Sequence, residues 1–419
     1  MKVVVLGAGI IGVSTAWFLA RDGHEVVVLE RATGPARETS FANGGQISVS
    51  HSEPWAQPST PWKVFKWLLR EDAPLLYRPR FDSAQWAFAL RFLRECLPQR
   101  AHRNMLCMLA LGRFSRDTFA LIREETGIAF DHLARGIVTL FESRRDLEQA
   151  LRAAETMREF GVDKREISRT ELLRIEPALA ASADRIAAAC YCDSDQSGDI
   201  HKFTSGLAAA AAALGVEFRF STRINALLAE GGDVAGVSVT RPDGYFETVR
   251  ADAYVLALGS YSTPIARSVG LALPVYPAKG YSVTLPIREP AAAPTVALTE
   301  ESYKVFMSRL GDRLRVAGTA ELAGYSSTLN PVRCGLLVQR ARALFPDACD
   351  WEGEVQYWTG LRPASPGNVP LIGRTRYPSL YLNTGHGTLG WTEGPGSGRA
   401  LADIIGGRRP PLDFPFTGC

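Results

Sequence analysis

The sequence predicts an α/β protein in which a domain built on a parallel sheet is interleaved with a second domain of sheet and helices. Three observations carry this reading. The first thirty residues alternate strand, glycine turn, helix and strand. Residues 83–126 change texture to a helical pattern rich in Leu, Phe and Arg, and apolar runs beside glycine return at 253–258 and again near 381.

Each element has a local cause. Residues 2–6 form a continuous apolar run broken by Gly7, as in a strand buried on both faces of a parallel sheet. Apolar positions then recur at helical spacing from Ile10 to Arg21, and 24–30 is a second strand of the first kind. The helical pattern of 83–126 stops at Gly127. Further helices are expected at 145–160 and 168–175, with a strand at 136–141 between them and the long helical region. A helix at 201–214 leads into strands at 216–220 and 233–240, and the run 253–258, ending at Gly259, resumes the parallel sheet. Residues 280–285 and 313–318 read as sheet, and the last portion repeats strand, glycine loop and helix from Tyr381 to Ile405.

Composition sets the outer limits. At 419 residues the chain exceeds what one core usually supports, and 46% hydrophobic with 22% charged residues excludes a disordered chain. A net charge of +3 without a long basic tract gives no footprint for nucleic acid. The seven cysteines are scattered and lack the paired C-x-x-C spacing of a metal site, so no metal is expected and reduced thiols in a cytoplasmic protein are. The run 3–6 is too short for a signal peptide, and no stretch reaches the roughly 18 apolar residues of a membrane span.

Gly7-x-Gly9-x-x-Gly12, enclosing Ile10 and Ile11, sits between a strand and a helix, where glycines permit a tight turn and close approach to a pyrophosphate. Glu30 ends the second strand, placed to accept from ribose hydroxyls. Together these read as a dinucleotide site. They do not separate a nicotinamide from a flavin.

The stretch 38–48 (ETSFANGGQIS) is a polar, glycine-punctuated loop suited to wrapping a phosphate and then a ring. With 54–58 (PWAQP), 275–282 (VYPAKGYS), 359–363 (TGLRP) and 382–392 (LNTGHGTLGWT), it resembles the small-subunit type of bacterial D-amino acid dehydrogenase, of the FAD-dependent D-amino acid oxidase and glycine oxidase family. The likeness spans nearly the whole chain in the same order. It implies two domains with FAD extended between them, residues 1–80, 195–262 and 356–419 binding FAD, and 81–194 with 263–355 binding substrate. Gly7, Gly9, Gly12, Glu30 and Ser40 then hold the ADP portion, with Ile10, Ile11 and Arg31 beside them. Asn43, Gly44 and Gly45 belong to the cofactor loop, Gln46 and Ile47 lie near the isoalloxazine, the backbone at Ile224 meets adenine, and Gly259 makes a second glycine turn. Gly387, Thr388, Leu389, Gly390, Trp391 and Thr392 match the segment passing the pyrimidine edge, where a helix N-terminus stabilises negative charge.

The resemblance assigns Arg362 to the substrate carboxylate, which a guanidinium binds bidentately. The α-hydrogen of one enantiomer then faces flavin N5, no protein base is required, and the imine product hydrolyses to a 2-oxo acid and ammonia. Tyr281 and Tyr303 are expected as catalytic-pocket walls or hydroxyl partners, and His51 and His386 as further pocket candidates. The alternative is an oxidase or dehydrogenase of the same fold acting on a cyclic or secondary amine such as D-proline, hydroxy-D-proline, sarcosine or glycine. Departures from the family pattern at 393–395 (EGP), 366–368 (PGN) and 195–199 (DQSGD) leave the particular substrate open.

Reoxidation falls to a quinone or other external acceptor by the same resemblance, with oxygen as the alternative. In 61–70 (PWKVFKWLLR), Trp62, Phe65 and Leu69 recur at helical spacing among basic residues, either as a peripheral contact with the inner face of the plasma membrane or as a cover for their own domain. Oligomeric state is left open.

Overall fold

The computed structural model describes residues 1–67 and 70–418. Its first sheet has six strands in the order Leu371–Arg374, Leu380–Thr384, Ala253–Leu256, Lys2–Leu6, Glu25–Leu29, Glu217–Arg219. All neighbours are parallel except the edge pair Leu371–Arg374 with Leu380–Thr384. Because successive side chains on a strand alternate, the apolar run at the N-terminus serves two cores. Val3 and Val5 pack with the helices Ile10–Arg21, Ile200–Ala213 and Gly390–Ile405; Val4 and Leu6 pack beneath the antiparallel sheet of Arg223–Glu230, Asp233–Thr240 and Phe246–Val249.

The second sheet has nine strands. Eight follow the order Gln356–Ala364, Tyr276–Pro286, Arg313–Leu322, Val305–Leu310, Ala297–Glu300, Ile137–Phe141, Ala188–Cys192, Lys164–Ile167, and Leu75–Tyr77 pairs beside Arg313–Leu322. The helix Pro331–Leu344 covers its outer face, burying Leu337 and Ala341 against Tyr281, Val283, Val305 and Val316. The inner face looks toward the six-stranded sheet's loops. Leu75–Tyr77 and Gln356–Ala364 pair within this sheet, so we place those segments with the substrate domain rather than in the expected ranges 1–80 and 356–419.

The helical region 83–126 is two helices, Ser83–Glu95 and Pro98–Thr126. Pro98 has no N–H to give and disfavours helical backbone at Leu97, so the chain breaks there and restarts with proline in the first turn. Gly127 closes the second helix at φ +63°. The helix Thr60–Trp67 buries none of its side chains, and Trp62 and Phe65 stack with centroids 5.8 Å apart, both about two-thirds exposed. Leu69 lies outside the described residues. Among the described residues no helix is long and apolar enough to cross a membrane.

Candidate active site

The glycine motif forms a tight cradle. A Cβ on Gly12 would lie 1.9 Å from the Gly7 carbonyl oxygen, so only glycine lets the helix Ile10–Arg21 start this close to its strand. Gly7 itself sits at φ +106°, with a Cβ there 2.7 Å from the Ala257 carbonyl oxygen. Ser40 Oγ accepts from the Ile10 N–H at 3.1 Å, and the Glu30 carboxylate accepts from the N–H groups of Ala8 and Ala32, each at 2.9 Å. Arg31 pairs with Glu38 and lies 3.9 Å over the Tyr261 ring, just after Gly259. The chain ahead of Ile224 docks on this corner, Thr222 N–H donating to the Glu30 carbonyl at 2.8 Å, while Ile224 lies on the first strand of the three-stranded sheet, opposite Val239.

The loop after Ser40 lies on the inner face of the nine-stranded sheet. Asn43 Oδ1 accepts from the Gly45 N–H at 2.9 Å, Ser308 Oγ donates to the Gly44 carbonyl at 2.7 Å, and Arg315 donates to the Asn43 carbonyl at 3.1 Å. Gln46 donates to the Leu298 carbonyl at 2.8 Å, and Gln46–Ile47 pair with Gln196–Ser197. Buried Asp195 then pins the next turn, its carboxylate accepting from Val49 N–H at 3.0 Å, Ser50 N–H at 3.3 Å and both serine hydroxyls of Ser48 and Ser50. His51 Nδ1 meets Ser48 Oγ and its ring stands edge-on to Phe306, 6.0 Å between centroids. Burial, with Lys164 nearby, draws the His51 pKa down to about 3, so the ring is neutral.

Arg362 occupies the same inner face. Its guanidinium lies across Gly280, where a Cβ would be 2.2 Å from Nη1, and it donates to the Thr319 carbonyl at 2.9 Å. Among the described residues no carboxylate lies within 4.0 Å of it. Burial, and then Arg333, draws its pKa down to about 10. Thr319 holds φ +54°, a strained region for a β-branched residue, where the strand Arg313–Leu322 slips register against Tyr276–Pro286, and its carbonyl accepts from Arg362. Trp358 and Gly360 share Arg362's face of their strand, with Phe41 6.3 Å from Trp358 across the opening.

Tyr281 and Tyr303 require correction. Tyr281 is buried on the outer face, its hydroxyl bonded to Glu321, which also pairs with Lys279 at 3.1 Å and Arg78 at 2.7 Å. It stands next to Gly280 in sequence and therefore on the opposite side of the sheet from Arg362. Tyr303 packs under Arg340, 3.8 Å from ring to guanidinium, toward the same outer helix. On the inner face, Phe306 lies beside Gly44, Trp358 beside Gly360, and the Thr319 carbonyl beside Arg362.

The segment Gly385–Glu393 closes the opposite wall. Gly387 is at φ +53° and donates to the Pro363 carbonyl at 2.9 Å, tying this loop to Arg362's strand. Thr388 follows it, Leu389 is the N-cap of the helix Gly390–Ile405, and buried Thr392 Oγ1 accepts from Ser48 N–H at 3.0 Å. His386 is buried with neither ring nitrogen partnered, and burial draws its pKa to about 3. Trp391 Nε1 and both oxygens of Glu393 are likewise buried without partners, and burial holds the Glu393 carboxyl well above the ordinary range. Orphaned polar atoms concentrated on one helix start are what a bound polar ligand would satisfy.

Residues 2–404 match the family model described as FAD dependent oxidoreductase. The chain belongs to this family. It is 52% identical over 419 residues to the D-amino acid dehydrogenase of Dechloromonas aromatica (strain RCB), covering all of both chains, and 52% identical to that of Paramagnetospirillum magneticum, covering all of this chain and 98% of the relative. Glycine oxidase from Bacillus cereus shares its fold at 24% identity and TM-score 0.70, with 97% of this chain and 95% of that one aligned. L-proline dehydrogenase from P. horikoshii aligns at 19% identity and TM-score 0.75, covering 98% and 95%. The geometry fits the family's FAD: a glycine cradle at a helix N-terminus, a carboxylate at the end of the second strand, and unpartnered polar atoms at the second helix start. Gly7 to Gly12, Glu30 and Ser40 meet at one corner, and Thr392 meets the chain leaving the loop Asn43–Ile47 at Ser48.

Proposed function

We infer that this protein oxidises D-amino acids with FAD, giving a 2-oxo acid and ammonia after the imine hydrolyses, and passes the electrons to a quinone-like acceptor. The observation that carries the reading is Arg362, a guanidinium on the inner sheet face with no carboxylate of its own among the described residues. A substrate carboxylate supplies the missing anion and is held bidentately. The relatives' names favour D-amino acids over the cyclic and secondary amines.

FAD, when bound, accepts the hydride that leaves the substrate's α-carbon. The protein's own groups do the rest. Arg362 fixes one end of the substrate, Trp358 and Phe306 exclude water, and Thr319 holds the guanidinium in place through its carbonyl. Thr392 already accepts from Ser48, so its hydroxyl proton is free to donate toward the cofactor edge. Burial draws the His51 and His386 pKa values to about 3, so both rings are weak proton acceptors, and among the described residues no carboxylate lies within 4.0 Å of Arg362; the amine therefore has to arrive in its neutral form. The exposed Trp62 and Phe65, with Lys63 and Lys66 beside them, support a cytoplasmic protein resting on an anionic membrane face.

The test is anaerobic bleaching of the purified flavoprotein by panels of D- and L-amino acids. Bleaching by D-enantiomers is expected; bleaching by L-enantiomers only, or by none, overturns the reading. Reoxidation faster with a quinone analogue than with air is expected of a dehydrogenase, and the reverse order would make it an oxidase.

A further inference from the structure

We propose that the quinone-like acceptor inferred above binds in the cleft between the helix pair Ser83–Glu95 and Pro98–Thr126 and the loop 365–371, with a hydrocarbon tail along the exposed apolar stripe of the first helix. This rests on the FAD reading above.

The cleft encloses about 700 Å³, within the usual range for small-molecule sites. Its floor is one layer of chain from the cofactor segment. Ala364 bridges to His386, and a Cβ on Gly385 would lie 3.7 Å from both Ser365 Cβ and the Leu371 nitrogen. Ser365 Oγ is buried without a partner and belongs to this floor. The wall carries Arg91, Arg94 and Arg103, and among the described residues none has a carboxylate within 4.0 Å. The one acid there, Glu95, is already engaged by Arg100 at 2.8 Å and by Asn104 at 3.0 Å. Three unopposed guanidiniums and an orphaned hydroxyl suit a ligand with carbonyl oxygens on which negative charge develops during reduction.

The apolar part is equally defined. Trp86, Leu90 and Leu93 follow one another at i, i+4 and i+7 on the first helix, Leu97 comes just past its end, and each is half exposed or more. Arg94 and Arg91 lie on one side of this stripe and line the cleft, while Gln85 and Phe88 face the protein. A ligand with a polar ring and a hydrocarbon tail matches both surfaces at once. A free inorganic anion would use the first only, and a second copy of this chain the second only.

The electrons balance. The amine loses its α C–H and one N–H, forming the imine and releasing two electrons and two protons, and the quinone takes up two of each to become the quinol.

The experiment uses holoenzyme, with flavin bleaching read separately from reoxidation, and calorimetric Kd for decyl-ubiquinone in detergent. R94Q/R103Q is expected to raise KM and Kd about tenfold for decyl-ubiquinone and for a tail-less benzoquinone, leaving bleaching by substrate unchanged; R94K/R103K should recover part of the loss. L90S/L93S is expected to weaken decyl-ubiquinone alone. Unchanged quinone kinetics in R94Q/R103Q overturns the site. Equal effects of L90S/L93S on both quinones overturn the tail's placement, as does a shift from dimer to monomer without a change in quinone Kd. Dithionite-reduced enzyme reports reoxidation even if no D-amino acid bleaches the flavin, so failure of the substrate reading stays separate.

Discussion

Replacing Arg362 by leucine separates substrate capture from folding. Among the described residues the guanidinium makes one hydrogen bond, to the Thr319 carbonyl, and burial draws its pKa down to about 10. A displacement of that size holds about 3 kcal/mol against the charged form. Leucine relieves this, but it leaves the Thr319 carbonyl without its donor, which costs about 1–3 kcal/mol. The two nearly cancel, so melting temperature is expected to stay within a few degrees and FAD content near stoichiometric. Substrate binding has no such compensation. Losing a buried, bidentate partner for a carboxylate costs about 2–5 kcal/mol. At about 1.4 kcal/mol per factor of ten, kcat/KM should fall at least roughly 30-fold, with KM carrying much of the change. Stopped-flow bleaching against D-amino acid concentration measures it. A variant with bound FAD and the parent's KM would refute the anchor role.

Two further outcomes follow from the buried groups. Glu393 is fully buried without partners and its native pKa is raised by burial, whereas in the unfolded chain it ionises near pH 4.3. Between those values the native state keeps a proton that the unfolded chain has lost, so stability falls as pH rises, by up to about 1.4 kcal/mol per pH unit. Glu393→Leu should remove this slope, and thermal melts from pH 5 to 8 should show its advantage over the parent growing with pH; a constant offset would contradict the burial argument. Tyr281→Phe deletes an outer-face hydroxyl bonded to Glu321 and should destabilise by about 1–2 kcal/mol while leaving bleaching rates alone. A large rate loss at unchanged stability would return Tyr281 to the pocket.

Much of the architecture was legible because its causes are local. The run at residues 3–6, the glycine cradle and Gly127 depend on spacing and backbone freedom within a few residues, and their elements appear as expected. The start of the helix Pro331–Leu344 was equally legible, since Asn330 accepts from Val332 N–H at 3.0 Å ahead of a first-turn proline, but the sequence reading passed over it.

What the sequence by itself determined is the identity of the nucleotide unit and the motif containing Arg362. Tertiary structure alone decided the pocket's walls. Tyr281 and Gly280 are adjacent in sequence, yet one is outer core and the other lies under Arg362, because a strand alternates its faces and only the covering helix Pro331–Leu344 says which face is outside. Thr319, Phe306 and Trp358 carry no signal of their own. They reach the site through pairings between strands far apart in the chain, and those depend on which faces of the whole molecule must be buried together.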